Sequence, residues 1–230
     1  MTQMRRDEHG WTLVLPVKGG RRAKSRLGAE SYLARAIALD TIEAAVACPV
    51  VAAVVVVTTD PAIAGQATAV GARVLMERDP GAGLDAAVRD GLASLPATRA
   101  AGVLLADLPA LRPDDLAVAL DAVGVALARP GGPTAASGRG ADGSRWAVVP
   151  DADRTGTVLL AGSATGMRPA FGPGSAAAHV ERGAIRLDLD LPRLRRDVDT
   201  LDDLALAVRL GVGRNLTAAL AAPHGALRLP

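Results

Sequence analysis

The amino-acid sequence predicts an α/β protein, with a mainly parallel sheet between helical layers in a three-layer fold, and three observations predict it. Short β-branched runs alternate with longer alanine- and leucine-rich segments, as expected of strands buried on both faces and linked by crossover helices. The 230 residues are 50% hydrophobic, enough to bury a sizeable core in one domain. Only 2% are aromatic, so that core must be built from Val, Leu, Ala and Ile. One domain spanning residues 1–230 is expected, with residues 12–213 as its core and flexible termini, the tail after Gly213 being loosely held.

Residues 12–17 (TLVLPV) read as the first strand, and residues 30–47 as a helix whose Leu33, Ile37, Ile42 and Val46 recur at helical spacing. The next strand is 53–58, followed by a helix with Pro61 in its first turn, a strand at 72–76 and a helix over about 84–94. GVLLA at 102–106 is a strand, and the helix from Pro113 opens with Asp114 and Asp115 at its positive end. The glycine-rich stretch 130–145 reads as an excursion or hairpin within the domain. WAVVP, TVLLA and AIRLDL follow as strands, with a helix after Ser175 and a last helix over 199–211 capped by Thr200.

Composition excludes several classes. The 26 basic and 24 acidic residues nearly balance, which does not describe a polyphosphate-binding surface, and the scarcity of aromatics removes the stacking platforms of single-strand binders. No nucleic-acid partner is expected. Cys48, the one cysteine, precludes an intramolecular disulfide and reads as a small buried hydrophobe. The start, MTQMRRDEHG, lacks the apolar stretch of a secretory signal, and the run 49–57 is shorter than the ~20 residues that span a bilayer. A cytoplasmic protein without a membrane partner is expected.

Three groups of residues carry chemistry. In LPVKGGRRAKSRLG, where the first strand leaves the sheet, Lys18, Lys24 and Arg26 would converge on a triphosphate, with Gly19 and Gly20 letting backbone amides approach; a solvated basic loop is the alternative. Asp107 directly follows the strand GVLLA, where a nucleotide-dependent enzyme offers magnesium hard oxygen ligands. Asp197 and Asp199 flank Val198 in RRDVDT, so an extended backbone points both carboxylates one way, and such a pair is relieved by a cation. Capping by Thr200 accounts at most for Asp199, which favours metal ligation by Asp107, Asp197 and Asp199. Asp188 and Asp190 share the spacing but read as a solvated mid-strand face. Finally RTGT, with Thr155, Gly156 and Thr157, and FGPGS, with Gly172, Gly174 and Ser175, offer hydroxyls and exposed amides for a second anion. His179 reads as a surface or otherwise satisfied residue.

Taken in order, PVKGGRRAKSRL, GLDAAVRDG, ADLPAL, TGTVLL, FGPGSAAAH and RRDVDT resemble the 2-phospho-L-lactate/phosphoenolpyruvate guanylyltransferases of coenzyme F-420 biosynthesis, over roughly residues 12–213. The resemblance implies a nucleotidyltransferase-type fold, GTP as co-substrate, magnesium as cofactor, and a small phosphorylated acid as acceptor, with the product handed to a downstream transferase. It implies Lys24 and Asp107 as catalytic residues, Lys18, Lys24, Arg26 and Asp85 as GTP contacts, Asp107, Asp197 and Asp199 as metal ligands, and Thr157, Gly172 and Ser175 as the acceptor pocket. Two positions depart. The family usually reads GLNAA where this chain has Asp85, and an aspartate accepts from guanine N1 and N2 hydrogens without being able to donate. It commonly reads GTGT where this chain has Arg154, which either adds a phosphate contact or faces water.

The expected reaction is attack of an acceptor phosphate oxygen on the α-phosphorus of GTP, with pyrophosphate leaving. Phosphoenolpyruvate is the expected acceptor ahead of 2-phospho-L-lactate and 3-phosphoglycerate, because a pocket of glycines and small hydroxyls closes best around a flat ligand. Two other readings stand beside it: another nucleotidyltransferase, of the molybdopterin or sugar-phosphate type, and a catalytically silent nucleotide-binding protein.

Overall fold

In the computed structural model, which describes residues 10–17, 31–79, 81–96, 100–129 and 145–222, the β-branched runs become the strands of one sheet. Strands β1 (Trp11–Val17) and β2 (Val51–Thr58) pair in parallel, and each alternates its side chains between two cores. Leu13, Leu15, Val54 and Val56 face one, and Val14, Val55 and Val57 face the other. Apolar residues on both sides of the pleat thus bury most of the central strands, leaving Trp11, Ala52 and Ala53 partly exposed.

The sheet continues with β3 (Arg73–Met76) beside β2 and β4 (Ala100–Leu104) beside β1, then β6 (Thr157–Ser163), β5 (Trp146–Pro150) and β7 (Ile185–Arg186), in the order β3-β2-β1-β4-β6-β5-β7. Every pairing is parallel except those of β6, which runs antiparallel to β4 and β5. This reversal brings the beginning of β6 to the edge where the other strands end: Leu104 lies opposite Leu159, and Pro150 opposite Thr157.

Helices α1 (Ser31–Ala47), α2 (Pro61–Ala69) and α4 (Pro113–Ala128) cover one face through Leu39, Ile42, Ile63, Leu116 and Leu120, while α3 (Leu84–Ala93) packs Val88 and Leu92 against the other. The short α5 (Ser175–Glu181) and α6 (Pro192–Arg195) border the site described below. Helix α7 (Leu201–Leu210) begins with a reciprocal cap in which the Thr200 hydroxyl accepts from Asp203 N–H and the Asp203 carboxylate accepts from Thr200 N–H. Cys48 is buried, as expected. No helix among the described residues is long and apolar enough to cross a membrane.

Two expectations change. Residues 214–221, expected to be loosely held, form helix α8 (Arg214–Ala221), whose Leu216 is buried with Leu33 and Ile37 of α1. Its amino end is capped from 175 positions away: Asp40 of α1 accepts from Asn215 N–H, Leu216 N–H and the Asn215 side chain at 2.9, 3.0 and 2.9 Å. Gly213 permits this, since a methyl group there would meet the Asp40 carboxylate. Strand β7 ends at Arg186, so Asp188 and Asp190 lie beyond it rather than mid-strand, Asp188 paired with Arg186 in solvent. In the helical turn α6, Arg195 is spent on the carbonyls of Pro150, Asp151 and Leu189. The glycine-rich stretch 130–144 lies outside the described residues.

Candidate active site

Ligand sites of open parallel sheets lie beyond the carboxyl ends of the strands. Here that edge gathers the residue after β4, the turn between β5 and β6, the start of α3 and a segment from near the end of the chain. Asp107 follows β4, its loop pinned by Leu108 N–H on the Thr41 hydroxyl at 3.1 Å. The extended residues 197–199 lie alongside, with Val198 N–H donating to the Asp107 carbonyl at 3.0 Å. Val198 is fully buried, with Asp197 half-buried and Asp199 exposed on either side of it.

The backbone bonds from Val198 to Asp107 and from Ala152 to Arg195 draw the Asp107 loop and the Asp151 turn alongside Asp197. Burial and then the charges of Asp107, Asp151 and Asp199 push the Asp197 carboxyl up to about 7. The sequence reading missed Asp151. It is buried and accepts Thr155 N–H at 3.0 Å and Gly156 N–H at 2.7 Å, organising the β5–β6 turn. In sequence it looks like an ordinary turn aspartate. Among the described residues no group of three or more His, Cys, Asp or Glu is arranged to hold a metal ion by itself.

The second expected anion site is a hydroxyl pair. Thr157 begins β6 and Ser175 begins α5; both are buried, and Ser175 Oγ donates to Thr157 Oγ1 at 3.1 Å. A strap over 167–174 closes this corner, and Gly172 and Gly174 take left-handed backbone angles (φ 141° and 73°) that side-chain-bearing residues adopt at a cost. Three consecutive strap residues are held, two from α5 and its C-cap and one from α3. The Pro169 carbonyl accepts from Arg182 at 2.6 Å, Ala170 N–H donates to His179 Nε2 at 2.9 Å, and Phe171 N–H donates to Asp85 Oδ1 at 2.8 Å.

His179 is therefore satisfied, as expected of it, but is fully buried rather than on the surface; its Nδ1 lies 2.9 Å from Thr157 Oγ1. Burial lowers its pKa to about 4. Trp146 and the chain's one Phe, Phe171, meet its ring edgewise, with centroids at 6.1 and 5.0 Å. Asp85, expected at the guanine base, has one carboxylate oxygen committed to the strap. Arg154 is exposed and is the one non-glycine among the described residues with positive φ, 67°, which fits a position where glycine is commonly read. Lys18, Lys24 and Arg26 lie outside the described residues.

Residues 19–182 match the family model of the MobA-like NTP transferase domain, which defines the class as a nucleotidyltransferase. The fold agrees: a nucleotidyl transferase from Methanothermobacter thermautotroptrophicus superposes with a TM-score of 0.56 at 14% identity, over 87% of this chain and 97% of that one. The phosphoenolpyruvate guanylyltransferase of Salinispora arenicola is 50% identical over 210 residues, covering 88% of this chain and 90% of the relative. That of Streptomyces scabiei is 45% identical over 225 residues, covering 92% and 96%. The chain belongs to this phosphoenolpyruvate guanylyltransferase family of nucleotidyltransferases.

Proposed function

We propose that the protein transfers GMP from GTP to phosphoenolpyruvate with release of pyrophosphate, as one domain working in the cytoplasm on the route to coenzyme F-420, its product passing to a downstream transferase. The observation that carries this reading is the meeting of Asp107, Asp151, Asp197 and Asp199 at the carboxyl edge of the sheet, next to the corner formed by Thr157 and Ser175. Two anionic substrates fit such an edge only if a cation accompanies them. Magnesium suits the oxygen-only donors, and it needs few of them, because it keeps several waters and binds through one or two carboxylates together with substrate phosphates. The upward-pushed Asp197 carboxyl is the signature of a site that a cation relieves.

In this reading one or two of Asp107, Asp197 and Asp199 would hold the magnesium together with substrate phosphates, and when bound it would supply charge neutralisation at the phosphoryl oxygens. Lys18, Lys24 and Arg26 grip the triphosphate, and Asp85 uses its second oxygen for guanine N–H groups. Thr157, Gly172 and Ser175 seat the acceptor. An acceptor phosphate dianion is already nucleophilic, so alignment and charge stabilisation suffice without a general base. In keeping with this, His179, the one histidine among the described residues, has both ring nitrogens engaged.

The test is pyrophosphate release from GTP and magnesium with equimolar phosphoenolpyruvate, 2-phospho-L-lactate and 3-phosphoglycerate, the GMP adducts being resolved by mass. A dominant phosphoenolpyruvate adduct is expected. A dominant phospholactate adduct changes the acceptor and leaves guanylyl transfer standing. Silence with these three but turnover with a molybdopterin or a sugar phosphate overturns the reading.

A further inference from the structure

His179 sits in the middle of the acceptor corner, yet it is buried, neutral and outside the chemistry proposed above. Its two nitrogens face partners of different kinds. Ala170 N–H can only donate, so Nε2 at 2.9 Å must present a lone pair. A neutral imidazole with its lone pair on Nε2 carries its proton on Nδ1, and that proton points at Thr157 Oγ1, 2.9 Å away. The same oxygen also accepts from Ser175 Oγ at 3.1 Å. A hydroxyl has two acceptor positions and one donor, and here both acceptor positions are filled from within the protein. The Thr157 hydrogen is left as the one donor that the triad does not consume, and its direction is fixed by the other two bonds.

We propose that His179 is a positioning residue for the acceptor: as the Nδ1–H tautomer it turns the Thr157 hydroxyl into a directed donor for an anionic oxygen of the substrate, and through Ala170 it ties the strap that carries Gly172 to the same point. The proposal rests on the reading of Thr157 and Ser175 as acceptor residues. The surroundings supply the rigidity that such a role demands. Trp146 and Phe171 hold the ring edgewise on two sides. Asp85 and Arg182 fix the strap residues on either side of Ala170. A hydroxyl free to rotate would spend part of its time presenting lone pairs to an anion, which repels; a pinned one presents only its proton.

Two measurements test this. In the wild-type protein, side-chain ¹⁵N shifts distinguish the tautomers, and the chain has only three histidines to assign. The Nδ1–H form is expected for His179, and the Nε2–H form or an imidazolium at neutral pH overturns the proposal without any variant having to fold. The second is a comparison of steady-state constants. His179→Gln retains an acceptor near the Nε2 position and loses the donor to Thr157, so KM for phosphoenolpyruvate should rise about tenfold, the scale of one buried hydrogen bond, while KM for GTP stays within about twofold. His179→Asn, which keeps a donor near the Nδ1 position, should retain more of the acceptor affinity at a greater loss of thermal stability. An equal rise in both KM values for His179→Gln marks a merely structural residue and overturns the proposal. Thr157→Val separates the two readings. If it raises KM for phosphoenolpyruvate and His179→Gln does not, the acceptor site stands and the positioning role falls; if Thr157→Val leaves that KM unchanged, the acceptor site itself is wrong.

Discussion

Two carboxylates placed away from water in this protein are both pushed up by burial but meet different neighbours. Asp40 is buried between α1 and α8 and meets three N–H donors, so the burial that raises its pKa is opposed by hydrogen bonds to its charged form. Asp197, half-buried at the edge of the sheet, is instead pushed further up by three neighbouring carboxylates, to about 7. The first arrangement caps a helix, and its donors offset part of the cost of burying the charge, although burial and nearby Glu43 still leave the Asp40 pKa above its ordinary value. The second adds repulsion to burial with no such donors, and a protein keeps an unrelieved charge cluster where a cationic ligand completes it. The difference teaches how to tell a structural carboxylate from a functional one: count the donors that the protein itself supplies.

The largest effect expected from breaking this contrast is on turnover. Asp107→Asn and Asp197→Asn should each lower kcat by more than about 100-fold in a pyrophosphate-release assay, with circular dichroism unchanged, because they remove charge and keep shape. Near-native rates at saturating magnesium would remove these carboxylates from catalysis. His179 belongs with Asp40 among the matched groups and extends the comparison to a base. The unfolded chain protonates this ring near pH 6.5 and the folded one only near 4, so its contribution is whole above pH 6.5 and is lost as pH falls through 4. Urea denaturation should show a loss of about 2.5 kcal/mol by pH 4.5 relative to neutral pH, absent from His179→Gln.

On the structural side, Asp40→Ala leaves the amino end of α8 without its acceptor and should cost about 2 kcal/mol in urea denaturation. Both KM values should be unchanged; a change in either would place α8 in the active site. The smallest effect sharpens the contrast from the other side. Asp197→Asn should stabilise the magnesium-free protein at pH 8 by about 1 kcal/mol, because a folded-state pKa raised to about 7 costs stability progressively from the ordinary carboxylate range up to pH 7, and the whole cost is present at pH 8. Magnesium should close the gap in thermal midpoint by stabilising the wild type, and a loss of stability in the variant would mean that Asp197 is as well matched as Asp40.

The parts of this design legible in the sequence are those written locally. The valine run of β2 and the apolar run of β1 announce a parallel sheet because, Thr12 and Thr58 at their ends aside, both faces are apolar. Asp197 and Asp199 announce a shared face because a strand repeats every two residues. Helix α8 was not legible: no hydroxyl or carboxylate precedes Arg214 at the capping position, and the cap arrives from Asp40, which reads locally as one more residue of α1. Asp151 was hidden for the reverse reason. Its bonds to Thr155 and Gly156 are those of any turn aspartate, and only the packing of residues 195–199 against that turn, through Arg195 and Ala152, makes it a neighbour of Asp197. His179 carried no local sign of its role, since its partners come from β6 and the strap.

The reversed strand β6 and the late position of Asp197 together set a timetable for the newborn chain. Synthesis delivers Asp107 and Asp151 first, and the sheet has all seven strands once Arg186 has emerged. Residues 197–199 leave the ribosome after that, and Val198 then closes onto the Asp107 carbonyl, 91 positions earlier in the sequence (198 − 107). Domains tend to gather structure from the amino end as they are made, so the mutual repulsion of the carboxylates is imposed on a scaffold whose strands already exist. A chain released just short of residue 197 contains all seven described strands and none of the repulsion that Asp197 brings to them.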